Sequence, residues 1–140
     1  MEQRSEALGE ALYAFAAGVI RRRSRTLSLT ALSTLATLER TGPRRLTDLA
    51  VAEEITQPSM TSLVTQLEQL GFAERRRDRA DARVVLVAIT RAGGQFMRER
   101  RLAGAQALTD LIDKLDEHDA AQLDAALPAL LRLVDLVAEG

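Results

Sequence analysis

Thr56-Gln57-Pro58-Ser59-Met60-Thr61-Ser62-Leu63-Val64-Thr65-Gln66-Leu67-Glu68-Gln69-Leu70-Gly71 has the period of a helix with two very different faces. Met60, Leu63, Val64, Leu67 and Leu70 fall on one stripe, at about 3.6 residues per turn, and predict a core-facing side. The other side carries Gln57, Pro58, Ser59, Thr61, Ser62, Thr65, Gln66 and Gln69, with no charge before Glu68. Solvated helix faces are usually rich in Lys and Glu. Short hydroxyls and amides instead give and take hydrogen bonds, which is what base edges in a DNA major groove demand. A core helix with a weakly polar outside has the same pattern, so this helix alone does not decide a function. Thr56 suits the N-cap, Pro58 is tolerated in the first turn, and Gly71 suits the residue that ends the helix.

Downstream, Phe72-Ala73-Glu74-Arg75-Arg76 and Val84-Val85-Leu86-Val87-Ala88-Ile89 predict the two strands of a ribbon, with Arg77, Asp78, Arg79, Asp81 and Arg83 at its tip. A charge cluster is commonly just a solvated loop. The order is more informative: an Asp two residues before an Arg can hold the guanidinium in one orientation. An Arg so held at the end of a narrow ribbon suits a minor groove, where negative potential is enhanced. Upstream, a helix from Ser28 to Glu39 or Arg40 turns Leu32, Leu35 and Leu38 inward and is stopped by Thr41-Gly42-Pro43. Arg44 and Arg45 then fall in a loop, and Thr47 can cap a third helix, Asp48 to Glu54. Basic residues at that place would add affinity for phosphate without reading sequence.

Together, Leu46-Thr47-Asp48-Leu49-Ala50, Ile55-Thr56-Gln57-Pro58-Ser59-Met60-Thr61, Leu67-Glu68-Gln69-Leu70-Gly71-Phe72, Asp78-Arg79-Ala80-Asp81-Ala82-Arg83 and Ile89-Thr90-Arg91-Ala92-Gly93 resemble the MarR family of winged helix-turn-helix transcriptional regulators. The resemblance covers almost the whole chain. It departs from the family pattern at Ile89, where Leu is usual, and at Ala80, where many members carry a second Arg that Arg79 would replace. It implies a mainly α fold with a small β-hairpin, a winged helix-turn-helix flanked by dimerisation helices. Residues 1–27 would be an N-terminal dimerisation helix, 28–93 the DNA-binding domain and 94–140 the C-terminal dimerisation helices. The helix from Gln57 to Leu70 would be the recognition helix, and Asp81 and Arg83 the wing-tip pair.

The function expected from this resemblance is sequence-specific binding of double-stranded DNA by a homodimer, most often as a repressor. A two-fold dimer presents two recognition helices about one helical turn, ~10 bp, apart, so the operator should be near-palindromic. The expected contacts are Gln57, Pro58, Ser59, Thr61, Ser62, Thr65 and Gln66 from the helix, Arg76, Arg79, Asp81 and Arg83 from the wing, and Arg45 and Thr47 to phosphate. The family also commonly binds a small, often anionic or aromatic effector between the dimer helices and the DNA-binding lobes. Leu12, Phe15, Leu27, Leu29 and the start of the long helix are its expected lining here.

Composition narrows the alternatives. There is no cysteine, which excludes disulfides and thiol redox sensing, and the single histidine, His118, would leave a metal to carboxylates. No cofactor is expected. No nucleophile stands beside a base and no glycine motif cradles phosphate, so the chain is not read as an enzyme. The rival class is a winged-fold module that binds another protein and never touches DNA; it would show no salt-sensitive DNA binding. The net charge of -1 hides a division, because residues 1–101 carry 17 Arg against 12 acids and residues 102–140 carry two cations against eight acids. Local fields steer a polyanion more than net charge does.

Ala11 to Ile20, the longest apolar run, is ten residues, too short to span a bilayer, and Arg21-Arg22-Arg23 follows it in place of a cleavage site. No membrane association and a cytoplasmic location are therefore expected. The run lies in a first helix, Ser5 to Arg23, with Leu8, Leu12, Phe15 and Val19 near one face. Arg21-Arg22-Arg23-Ser24-Arg25 is either a solvated helix end or a phosphate contact. Thr90 should cap a long helix reaching Lys114 or Leu115, in which Gly93 and Gly94 cost about 1 kcal/mol each relative to Ala. A last helix, Asp119 to Ala138, contains Pro128, which should bend or split it. The terminal helices either interleave with a second subunit or fold back as a bundle.

Overall fold

The computed structural model describes residues 2–22 and 26–139, so the last three residues of the basic run, Arg23, Ser24 and Arg25, lie outside it. The order is α1 (Glu2–Arg22), α2 (Leu29–Thr41), β1 (Arg44–Arg45), α3 (Leu46–Ala52), α4 (Gln57–Gln69), β2 (Ala73–Arg77), β3 (Val85–Ile89), α5 (Arg91–Ile112) and α6 (Glu117–Glu139). The core lies between α2, α3, α4 and the sheet, where Leu35, Leu38, Leu49, Met60, Val64, Leu67 and Val87 are fully buried. Each such side chain contributes about 1.5–3 kcal/mol by leaving water. Two helices begin at the caps expected from the sequence, Thr56 and Thr90, and α2 begins one residue after Ser28, which caps it. Ser28 Oγ accepts from the Ala31 N–H at 3.1 Å, Thr56 Oγ1 from the Ser59 N–H at 3.3 Å and Thr90 Oγ1 from the Gly93 N–H at 3.0 Å.

The sheet has three strands in the order β1-β3-β2, all antiparallel. Arg44 and Arg45, expected in a loop, pair with Val87 and Leu86. Two residues have no period to read, and they become a strand only because β3 offers them its otherwise open edge. That pairing carries the chain directly into α3, which starts at Leu46 with Arg45 as N-cap and no side-chain cap bond. Thr47 is therefore the second residue of the helix and not its cap. Leu70 also departs from expectation: it follows the last turn of α4 and is 45% exposed, because the chain turns away at Gly71, whose φ of 76° is the left-handed region glycine favours.

The first glycine of the Gly93-Gly94 pair now has a reason. A Cβ on Gly93 would overlap the backbone carbonyl oxygen of Phe72 and sit 2.9 Å from Ile89 Cγ1, so only glycine lets α5 lie this close to the root of the hairpin. Phe72 and Phe96 stack beside it with ring centroids 4.5 Å apart. Gly94 meets nothing within 4 Å, and nothing in the structure explains it. α6 continues through Pro128 without being split. Asp124 and Pro128 are both exposed, so solvent can serve the carbonyl that the proline leaves without a donor. No helix of the described residues is long and apolar enough to cross a membrane.

α5 is tied to α2 by a two-pronged ion pair, Arg101 Nη1 to Glu39 Oε2 at 2.7 Å and Nη2 to Oε1 at 3.2 Å. The hydrogen bonds from Arg101 hold the Glu39 carboxyl below its ordinary range against a smaller effect of burial, with the charges of Arg101 and Arg98 adding to them. A carboxyl lowered by folding stabilises the fold above its unfolded pKa, about 4.3 for Glu, and the contribution is lost as pH falls through the lowered value. Both partners are substantially exposed and screened by salt, so the effect is small. Urea denaturation should find Glu39→Gln less stable than the wild type near pH 7, with the difference shrinking as acid protonates the lowered carboxyl.

Candidate nucleic-acid interface

Every polar residue that the periodicity of α4 turns outward is exposed: Gln57, Pro58, Ser59, Thr61, Ser62, Thr65, Gln66 and Gln69 stand opposite buried Met60, Val64 and Leu67. Several of the hydroxyls are already committed to the helix itself. Thr61 Oγ1 donates to the Gln57 carbonyl at 3.0 Å and Thr65 Oγ1 to the Thr61 carbonyl at 2.9 Å, while Ser59 Oγ lies 2.8 Å from Thr56 Oγ1. Threonines bonded back four residues have spent their hydrogen and offer oxygen lone pairs outward. Gln57 and Gln66 retain amides that both donate and accept.

The hairpin formed by β2 and β3 stands beside this face, and its tip is ordered by its own polar groups. The Asp78 N–H donates to the Val84 carbonyl and the Val84 N–H to the Asp81 carbonyl, both at 2.9 Å. Asp78 Oδ1 accepts from the Ala80 N–H at 3.0 Å, and Arg77 Nη1 reaches across to the Ala82 carbonyl at 3.1 Å. Asp81 then takes three bonds from Arg83: the backbone N–H to Oδ1 at 3.0 Å, Nε to Oδ1 at 3.1 Å and Nη2 to Oδ2 at 3.2 Å. The Arg83 side chain is 91% exposed, yet it is held by its guanidinium from behind. These bonds lower the pKa of Asp81, the side-chain bond most, then the backbone bond, with a slight opposing effect of burial and a smaller contribution from the charge of Arg45. The pairing of β1 with β3 places Arg45 opposite Leu86, on the edge of the sheet next to the wing.

Of the other sites picked from the sequence, Arg76 is exposed and paired with Glu74 at 2.5 Å, which offsets part of its charge. Arg79 is exposed on the tip and Thr47 in the first turn of α3. One pair was missed. Glu68, in the last turn of α4, accepts both the backbone N–H of Arg75 at 3.1 Å and its guanidinium, and a second guanidinium nitrogen of Arg75 lies 3.4 Å from Thr65 Oγ1. Strand alternation was the available signal: Ala73 is buried, so Arg75 two residues on must face α4.

A charge-free polar helix face next to a basic hairpin is matched by what this chain is similar to. The MarR family model matches residues 27–85. An HTH-type transcriptional regulator of Mycobacterium bovis is 32% identical over 115 residues, 82% of this chain and 80% of that one. The chain belongs to the MarR family. Solved MarR-like structures agree on the fold. A transcriptional regulator from Thermotoga maritima superposes with a TM-score of 0.75 at 20% identity, over 100% of this chain and 99% of that one. A mutant of MepR from Staphylococcus aureus bound to an oligodeoxyribonucleotide superposes with a TM-score of 0.65 at 18% identity, over 95% and 96%. This MarR-family chain is a transcriptional regulator and not an enzyme, its α3 and α4 are the helix-turn-helix, and its β2–β3 hairpin is the wing.

Proposed function

We propose that this MarR-family regulator acts in the cytoplasm as a homodimeric repressor that binds a near-palindromic operator in double-stranded DNA and is released by a small-molecule effector. The observation that carries the reading is the exposed, uncharged face of α4 set beside a wing whose Arg83 is oriented by Asp81. The fold shared with MepR bound to an oligodeoxyribonucleotide supports it. In this reading residues 28–93 form the DNA-binding domain. Gln57, Ser59, Thr61, Ser62, Thr65 and Gln66 meet the major groove, with Pro58 at the helix entry. Arg83 enters the minor groove, while Arg76, Arg79, Arg45 and Thr47 meet phosphate.

Residues 1–27 and 94–140 serve dimerisation. α6 buries none of its residues within the chain, and Leu127, Leu131, Val134 and Val137 lie open along it. An apolar stripe of that length calls for a partner surface. An effector has space in an open cavity of about 540 Å³ between α1 and α5, lined by Phe15, Val19, Gly104, Leu108 and Leu111. Phe15 is the one lining residue anticipated from the sequence that lies there. Leu27 is buried in the core, and the middle of α5 lines the cavity instead of its start.

Selection of genomic fragments on the purified protein at two salt concentrations, with Arg83→Ala as control, tests the proposal. A shared near-palindrome, weakened steeply by salt and lost in the variant, is the expected result. A folded dimer that enriches no fragment would favour the protein-interaction module. On the selected site, Thr61→Ala or Ser62→Ala should change the preference among base pairs by about 1–3 kcal/mol at one position. Equal loss on every sequence would instead make them phosphate contacts.

A further inference from the structure

We infer that Glu68 and Arg75 form the joint that sets the angle between the wing and α4, and are positioning residues for DNA binding; the inference rests on the DNA-binding reading above. The root of the hairpin is fixed to the backbone: the Phe72 N–H donates to the Leu67 carbonyl at 2.9 Å and the Thr90 N–H to the Phe72 carbonyl at 3.0 Å. Beyond that root, the hydrogen bonds that join the wing to α4 among the described residues are those of Arg75. A single carboxylate takes both the main-chain N–H and the guanidinium of Arg75, so the strand and the side chain are held at once. The bond to Thr65 Oγ1 reaches one turn further along the face that is to meet the groove.

The leverage is large for so small a joint. From Arg75 the hairpin extends about four residues to its tip, roughly 13 Å at about 3.4 Å per residue. A tilt of about 10° there would move Arg83 by roughly 2 Å, more than a hydrogen bond tolerates. The Asp81–Arg83 pair fixes the guanidinium only relative to the tip. The β1 edge holds β3 as far as Leu86, and the Glu68–Arg75 pair holds β2 to the helix on the other side, so the pair sets the tilt of the tip toward α4. Both pairs are needed if a helix and a wing are to enter neighbouring grooves of one duplex.

Charge alone predicts the opposite effect for Glu68. An acid beside a polyanion repels it, so Glu68→Gln should tighten DNA binding if the residue were only a surface charge. As a joint, its loss should weaken binding by about threefold to tenfold, with little change in the melting temperature of the free protein because both partners are partly exposed. The decisive measurement is a cycle on the selected fragment with wild type, Glu68→Gln, Arg83→Ala and the double variant. The joint acts through Arg83, so Glu68→Gln should cost little once Arg83 is gone. Arg75→Lys, which keeps the charge and loses the fork, should weaken binding as Glu68→Gln does, whereas a simple phosphate contact would survive it.

Binding by Glu68→Gln as tight as wild type or tighter, or losses that multiply independently in the double variant, would overturn the joint while leaving DNA binding intact. Failure of the unsubstituted protein to bind any DNA is a different result, and would overturn the functional reading and this inference together.

Discussion

Arg83→Ala is expected to weaken DNA binding by about tenfold or more while leaving a folded protein with an unchanged melting temperature. The side chain is 91% exposed and, among the described residues, bonds only to Asp81, so removing it takes nothing from the core. It does remove a cation held in place before DNA arrives. A pre-oriented side chain loses less freedom on binding, and a narrow minor groove concentrates negative potential where the guanidinium would sit. The dependence of affinity on salt should also become shallower by about one counterion per subunit. Titration of a labelled operator duplex at several salt concentrations measures both quantities, and wild-type affinity in the variant would remove Arg83 from the interface. Asp81→Asn should show a weaker form of the same loss, because the Arg remains but is no longer held.

The second large effect is on stability. Gly93→Ala should destabilise the fold by about 1–3 kcal/mol, and Gly94→Ala should stabilise it by up to about 1 kcal/mol. The two glycines are neighbours in the first turns of α5, and helix propensity favours Ala at both. Only Gly93 faces a wall: its Cβ would overlap the Phe72 carbonyl oxygen, which is backbone and also accepts from the Thr90 N–H. Relief would require α5 to move off the hairpin root, at the cost of the Phe72–Phe96 stack and the Thr90 contacts. Equilibrium urea denaturation of the two variants gives the comparison. A stabilised Gly93→Ala would mean that the close approach of α5 does not persist in solution.

Much of the site was legible because its signals are local. The cap at Thr56, the apolar stripe of Met60, Val64 and Leu67, the polar face opposite and the Asp81–Arg83 pair each depend on residues within a few positions of one another. Backbone periodicity and short side-chain reach dictate them wherever the segment sits. The strands of the wing were found to within a residue because the β-branched run of β3 marks one side of a polar tip and Phe72-Ala73 after Gly71 marks the start of the other.

What escaped the sequence depends on distance along the chain. The strand of Arg44 and Arg45 exists because β3, some forty positions later, presents an open edge, and α3 begins where that pairing leaves it. Glu68 and Arg75 meet because the turn at Gly71 folds β2 back along α4. Nothing in the local pattern at Gly93 distinguishes it from Gly94 until the carbonyl of Phe72 is brought against it. The sequence by itself determined the helix-turn-helix, its polar face and the held arginine at the wing tip, since those follow from period and neighbour chemistry. Only the tertiary structure decided how the wing is fixed to the helix, which glycine is irreplaceable and where the open cavity lies, because each depends on two surfaces meeting and no segment carries that information alone.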